Sequence, residues 1–341
     1  MGSPHMLAYY VHDLSPFIWD ITPGFGPRWY GFAYVMAFVA GYQVYLWLAK
    51  RGYTEMAPEM VGDFITWAAL FGVLLGGRLG SMLFYNWGEW IHDPLMIFRV
   101  WEGGMASHGG ILGLMLFTLW FARRHRLSWT SIGDSLCVVA PIGLFFGRLA
   151  NFVNGELYGR AARGIAWAVQ FPKELYDNQA LAAQAGAALD HNPAVAAYAG
   201  KLSLTEAIVD ASQHSEQVRQ VLRTILTPRY PSQLIEAALE GVVLFCALWS
   251  LRTLVKAPRG VITGAFFILY ALLRIAGEQF RQPGSDSPFA FAFGFLTYGQ
   301  LLSIFLVFIG IGFLIWAFRA QQYERVFEPH EPPAGKMDSS K

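Results

Sequence analysis

The sequence predicts an all-α polytopic membrane protein with seven transmembrane helices, an external N-terminus, a cytoplasmic C-terminus and a small helical head outside the bilayer. Three observations predict it. The 341 residues are 55% hydrophobic and only 14% charged, against roughly 25% charged for an ordinary soluble domain. Seven stretches have the ~17–25 mostly apolar residues that a spanning helix needs. The loops between those stretches alternate in basic charge, which sets an orientation.

The same figures exclude other classes. With 25 Lys+Arg against 24 Asp+Glu the net charge is +1, so there is no basic footprint for nucleic acid. The chain is also too apolar for disorder. Two cysteines, Cys137 and Cys246, both fall in apolar runs, which leaves neither a disulfide framework nor a Cys-rich metal site. No metal and no cofactor is expected.

Taken in order, Met1 to His5 (MGSPH) precede a second methionine and read as a cloning scar, with the natural start at Met6. The next segment lacks a basic n-region and a small-residue cleavage site, so no signal peptide is expected. Spans at 29–49, 63–86, 104–122 and 132–152 make a first membrane block, 6–153. On the second, Gly72, Gly76 and Gly80 stand four apart, the spacing of close helix packing. The segment 154–232 is too polar to span and is read as the head; Ser203 and Glu206 there form a capping-box pattern ahead of an amphipathic repeat. Spans at 234–251, 261–280 and 298–318 make a second block, 233–319. Glu236 and Glu240 make the fifth span the weakest. The polar, Pro-containing tail 320–341 is expected to be disordered.

Basic residues follow spans one (Lys50, Arg51), three (Arg123, Arg124, Arg126), five (Arg252, Lys256, Arg259) and seven (Arg319, Arg325), which puts those ends in the cytoplasm. The loops after spans two and six are poor in Lys and Arg and face outside.

In that orientation a set of polar residues within five of the spans gathers near the outer surface, roughly 10 Å or less below the interface. They are Tyr30 on span one, Arg78 on span two, His108 on span three, Arg148 and Asn151 on span four, and Arg274 and Glu278 on span six, with Arg281 just beyond. Arg274, Glu278 and Arg281 are spaced i, i+4, i+7 and share one helix face. Arginines at headgroup depth suit bidentate capture of a phosphate or carboxylate, which points to an anionic lipid head as ligand. The competing reading is a structural Arg274–Glu278 pair or snorkelling side chains. His108 is the one intramembrane group here that can accept a proton near neutral pH without a large shift, although a packed histidine accounts for it equally simply.

The run Gly147-Arg148-Leu149-Ala150-Asn151-Phe152-Val153-Asn154-Gly155-Glu156-Leu157-Tyr158-Gly159-Arg160 closely resembles the signature of the bacterial phosphatidylglycerol:prolipoprotein diacylglyceryl transferase family. Supporting blocks follow in the family's order: RWYG at 28–31, GGRLG at 76–80, FYN at 84–86, DPLMIFRVWEGGMASHGG at 93–110, PSQL at 231–234 and RIAGEQFRQP at 274–283. The resemblance covers nearly the whole chain apart from the head. It implies an inner-membrane enzyme whose active site faces the periplasm and which moves a diacylglyceryl group from phosphatidylglycerol to the lipobox cysteine of a preprolipoprotein. A thioether forms and glycerol phosphate leaves; membrane lipids surround a protein expected to be a monomer.

Carried over residue by residue, the resemblance makes His108 the base or proton relay for the thiol, with Glu278 or Tyr30 able to serve instead. Arg148 and Arg274 clamp the phosphate, and Asn151 and Tyr30 orient the head group. Glu156 and Glu278 hold the arginines, Gly159 allows a tight external turn, and Arg78 and Arg281 complete the lipid-binding set. The chain departs from the family's pattern at Tyr230, where a His is usual, at Ile235 and at Gly284. The head between about 172 and 227 has no matching motif. A lipid transporter or flippase would use the same arginines but calls for paired broken helices in an internal repeat, which is absent from the sequence. A retinal protein would need a Lys in the last two spans, and none occurs between Lys256 and Lys336.

Overall fold

The structure, a computed structural model, describes residues 9–19, 26–99, 104–198, 200–282, 291–292 and 296–327. The Met1–His5 scar, Gly284 and the tail beyond 327 lie outside the described residues.

Among the described residues seven long helices follow one another: α1 (Trp29–Lys50), α2 (Pro58–Phe84), α3 (Ser107–His125), α4 (Trp129–Val153), α5 (Ser232–Leu254), α6 (Val261–Glu278) and α7 (Tyr298–Ala320). Six of them, α7 from Ser303 onward, are long and apolar enough to cross a membrane by length and composition. The sequence predicts seven. The difference is α3, whose 19 residues open on Ser-His-Gly-Gly and close on Arg-Arg-His, diluting its apolar middle. Two helices widen into π turns, α2 at Ala68–Leu75 and α5 at Ala237–Val243. Such turns are uncommon and recur at functional sites.

The chain divides into two compact units. The first comprises Met1–Ala37, Pro141–Phe245 and Leu269–Val307; the second comprises Phe38–Ala140, Cys246–Ile268 and Phe308–Lys341.

In the first unit a helical subdomain is built from Gln179–Leu189, Leu204–His214, Glu216–Ile225 and two shorter helices. Its own core joins Leu175, Leu189, Val195, Ile208, Val218 and Leu222. The capping box at Ser203 forms as its sequence predicts, with the Glu206 N–H donating to Ser203 Oγ at 3.3 Å and the Ser203 N–H to Glu206 Oε2 at 2.9 Å. A three-stranded sheet underlies these helices: β1 (Tyr10–Val11) pairs parallel with β2 (Val169–Gln170), which pairs antiparallel with β3 (Pro228–Arg229). His12, just after β1, is buried against Phe171 and bonded through Nε2 to the Phe152 carbonyl at 2.7 Å.

In the second unit the glycines of α2 and α3 interlock. A Cβ on Gly113 would lie 2.3 Å from the Gly72 carbonyl oxygen, and one on Gly80 would lie 2.5 Å from the Gly109 Cα. Backbones this close require residues without side chains on both faces. The predicted packing role of Gly72, Gly76 and Gly80 is what the contacts show, with Gly109 and Gly113 as partners.

A second feature of this unit corrects the reading of the tail. Residues 321–327 are ordered rather than disordered. Glu324 is fully buried, paired to Arg252 at 3.1 Å and to Arg259 at 3.3 Å. Arg259 also meets Glu55 at 2.5 Å, and Asp134 accepts from Gly260 N, Thr263 N and Thr263 Oγ1 at 2.7–2.9 Å. Burying charges is costly unless they are paired, so these partners hold one another in place. Two of the basic residues that set the orientation, Arg252 and Arg259, are thus structural ion-pair partners as well.

Candidate active site

In the first unit Arg148, Arg274 and Arg281 converge on three carboxylates. Arg148 Nε lies 3.0 Å from Glu236 Oε2, and its Nη2 lies 3.2 Å from Glu240 Oε2. Arg274 Nη1 meets Glu236 Oε1 at 2.9 Å and Glu240 Oε1 at 3.3 Å, while its Nη2 reaches Glu278 Oε2 at 2.9 Å. Arg281 stands 3.8 Å from Glu236. The two carboxylates of α5 bridge arginines from α4 and α6.

Local sequence explains why these helices approach so closely. Gly241, in the π turn of α5, abuts Phe145 of α4, where a Cβ would come within 2.6 Å of the Phe145 Cβ. Arg148 is three residues further along α4, on the same face as Phe145. Gly277 of α6 presents no side chain toward Glu236 and Glu240, whose atoms lie 3.5 and 4.0 Å from the position its Cβ would take. Glu236 and Glu240, at i and i+4, therefore face both neighbouring helices.

The glutamates are 1% and 0% exposed, whereas Arg148, Arg274 and Arg281 retain 16%, 13% and 24%. The acids lie beneath and the guanidiniums above, partly open. Three arginines face three carboxylates in the cluster. Its outer layer presents planar donors, the geometry suited to a phosphate or carboxylate. Outside the spans, burial pulls the Arg281 pKa down and Glu236 opposes it.

The segment after α4 is held by the PSQL block. Gln233 Nε2 donates to the Glu156 carbonyl at 2.6 Å, and Ser232 Oγ donates to the Leu157 carbonyl at 2.9 Å; both side chains are fully buried. Asn151 Nδ2 donates to Glu156 Oε1 at 2.8 Å, so Glu156 orients an amide and makes no ion pair with the arginines among the described residues. The tight turn expected at Gly159 lies elsewhere, at Gly155 (φ 65°) and Leu157 (φ 57°). Gly159 instead marks a close crossing: a Cβ there would lie 2.4 Å from the Phe280 carbonyl oxygen and 2.6 Å from that of Tyr230.

The remaining expected residues stand apart from the ion-pair cluster or outside its unit. Tyr30 packs its ring against Tyr34, with centroids 5.3 Å apart, and makes no ion pair or hydrogen bond with the arginines among the described residues. Arg78, in the second unit, is buried and donates to the carbonyls of Met96 (2.6 Å), Arg99 (2.8 Å), Gly104 (3.1 Å) and Ile97 (3.2 Å). Those bonds make it the organiser of the loop ahead of α3 rather than a free anion donor. His108 is exposed on the second residue of α3. Glu236 and Glu240 are absent from the set inferred from sequence. Their signal was present, as two acids four apart inside a span, but it weighed only against the span.

A family model described as "Prolipoprotein diacylglyceryl transferase" matches residues 16–316. The chain belongs to the prolipoprotein diacylglyceryl transferase family. Among curated relatives, the phosphatidylglycerol–prolipoprotein diacylglyceryl transferase of Paramagnetospirillum magneticum is 38% identical over 309 residues, covering 89% of this chain and 95% of the relative. Enzymes of the same name are 37% identical in Nitratidesulfovibrio vulgaris, covering 91% and 96%, and 36% identical in Serratia proteamaculans, covering 92% and 96%.

Proposed function

We propose that this chain transfers the diacylglyceryl group of phosphatidylglycerol to the cysteine thiol of a prolipoprotein at the outer face of the bacterial inner membrane. The observation that carries this reading is the pair of partly exposed guanidiniums, Arg148 and Arg274, fixed by buried Glu236 and Glu240.

The thiol loses its proton, and the thiolate, the reactive form of cysteine, attacks the glyceryl carbon that carries the phosphate ester. A C–S bond forms as the C–O bond to phosphate breaks. The electron pair leaves on the phosphate oxygen, and the proton ends on glycerol phosphate. Arg148 and Arg274 stabilise charge growing on that departing group. Asn151 and Tyr30 orient the head group, and the proton relay falls by resemblance to His108, with Glu278 or Tyr30 able to serve instead. No oxyanion hole is called for, because the attacked carbon is aliphatic.

The topology of this reading has seven spans, with α3 as the third; its 19 residues rise about 28 Å at 1.5 Å each. The blocks 6–153 and 233–319 lie in the membrane, and 154–232 forms a periplasmic head. The alternating loop charge supports the orientation.

The test is mass spectrometry of a lipobox peptide incubated with purified protein and phosphatidylglycerol vesicles. A lipid-dependent mass gain on the cysteine peptide, absent from its Ser counterpart, is the expected result. No gain with any of several peptides, together with lipid movement between leaflets, would favour a lipid transporter.

A further inference from the structure

Arg229, on β3, is neither at the ion-pair cluster nor in any recognised block, yet its guanidinium makes several directed contacts. Its Nη2 meets Glu174 Oε1 at 2.5 Å, where Glu174 is 2% exposed. Its Nη1 donates to the Gly159 carbonyl at 3.1 Å and also to Gln282 Oε1. Its guanidinium carbon lies 4.9 Å over the Tyr158 ring, and the Tyr158 hydroxyl donates to Asp177 at 2.5 Å. One planar cation therefore touches three segments: the short helix Glu174–Asp177 through Glu174, the Tyr158–Gly159 segment, and Gln282 near the end of the block that begins with Arg274.

These segments carry the site. Glu156 and Asn151 are bonded to each other just ahead of Tyr158, and Arg281, beside Gln282, faces Glu236. Two backbone bonds and one side-chain bond follow the same seam: Arg160 N to the Phe280 carbonyl at 2.9 Å, Tyr230 N to the Arg160 carbonyl at 3.0 Å, and the Arg160 side-chain Nε to the Arg281 carbonyl at 2.9 Å. We infer that Arg229 is a positioning residue for the transfer reaction, setting the spacing between the segment that carries Asn151 and Glu156 and the segment that carries Glu278 and Arg281. A small displacement between groups that act on one substrate can cost on the order of a hundredfold in rate. The inference rests on the transfer reading proposed above.

A guanidinium is needed, because only its fork reaches a carboxylate, a carbonyl and an amide oxygen while stacking on a ring. The test compares wild type, Arg229→Lys, Arg229→Gln, Gln282→Ala and the double variant Arg229→Gln/Gln282→Ala, in phosphatidylglycerol vesicles with a cysteine peptide. Each is assayed for kcat, for KM of lipid and of peptide, and for Tm. The expected result is a kcat at least tenfold lower in both Arg229 variants, with lipid KM changed less than threefold. Lys does not rescue, and the double variant is no slower than Arg229→Gln alone. Should the Arg229 variants not fold, Gln282→Ala decides: a kcat reduced fivefold or more with unchanged Tm supports the inference, and an unchanged kcat overturns it. Wild-type turnover in Arg229→Lys and Arg229→Gln overturns it, as does a loss that follows Tm alone or is fully additive with Gln282→Ala. An inactive wild type would instead overturn the transfer reading.

Discussion

At the scale of single residues, the site is a matter of counter-charges. Arg148 and Arg274 are each held by two or more carboxylates, so reversing either charge breaks several contacts and, on the proposed reading, removes a donor for the lipid phosphate. Arg148→Glu and Arg274→Glu are expected to lower transfer at least a hundredfold, in line with the loss of a transition-state charge partner. Normal turnover in either would mean that the phosphate is held elsewhere. His108→Gln is expected to keep phosphatidylglycerol binding and lose transfer, as read by lipid pull-down beside the peptide assay. Arg148, Arg274, Glu278 and Arg281 were legible in sequence, because charge is scarce in the spans and helical spacing groups the last three. Glu236 and Glu240 were not, because an acid inside an apolar run weighs against a span until its partner on another helix is known. Arg78 was over-read for the opposite reason: nothing in sequence shows that its donors are taken by four carbonyls.

At the scale of elements, small residues decide how closely helices lie. The α2–α3 contact leaves no room for a methyl group, so Gly113→Ala or Gly109→Ala must push backbone apart. The expected cost is about 1–3 kcal/mol, typical of overpacking, read as a lowered Tm in detergent. An unchanged Tm would show that the contact can relax. The four-residue spacing of Gly72, Gly76 and Gly80 announced one side of this contact. The π turn of α5 left no such mark. Its sequence is ordinary for a helix, and only the packing of Gly241 on Phe145 reveals why the α4 and α5 groups meet. The PSQL block was legible as a motif, but its work, holding the Glu156 and Leu157 carbonyls, is visible only in three dimensions.

At the scale of the whole molecule, buried ionisable groups outside the spans tie stability to pH and to the tail. Burial lowers the His12 pKa from 6.5 to about 4, against the opposing pull of the Phe152 carbonyl and Asp13. The unfolded imidazole therefore takes up a proton first. Stability is full above pH 6.5 and is lost as pH falls from 6.5 toward 4, by about 3 kcal/mol in total. A Tm series from pH 7.5 to 4.5 should fall less steeply in His12→Gln than in wild type, and identical slopes would remove His12 as the cause. Glu324→Gln leaves Arg252 and Arg259 short of a buried partner and is expected to cost about 3–5 kcal/mol, read by thermal unfolding. Residues 321–327 share the polar composition of the rest of the tail, and what composition does not show is that the Glu324 carboxylate is buried against Arg252 and Arg259.

The central claim, that the arginine cluster serves diacylglyceryl transfer, is tested most directly by stoichiometry. Purified protein is incubated with a cysteine peptide and vesicles of phosphatidylglycerol labelled in the carbons of its acylated glycerol. The account predicts label on the peptide through an alkali-stable thioether, matched one for one by released glycerol phosphate. Glyceryl label that alkali releases from the peptide, or glycerol phosphate released without peptide labelling, would contradict it.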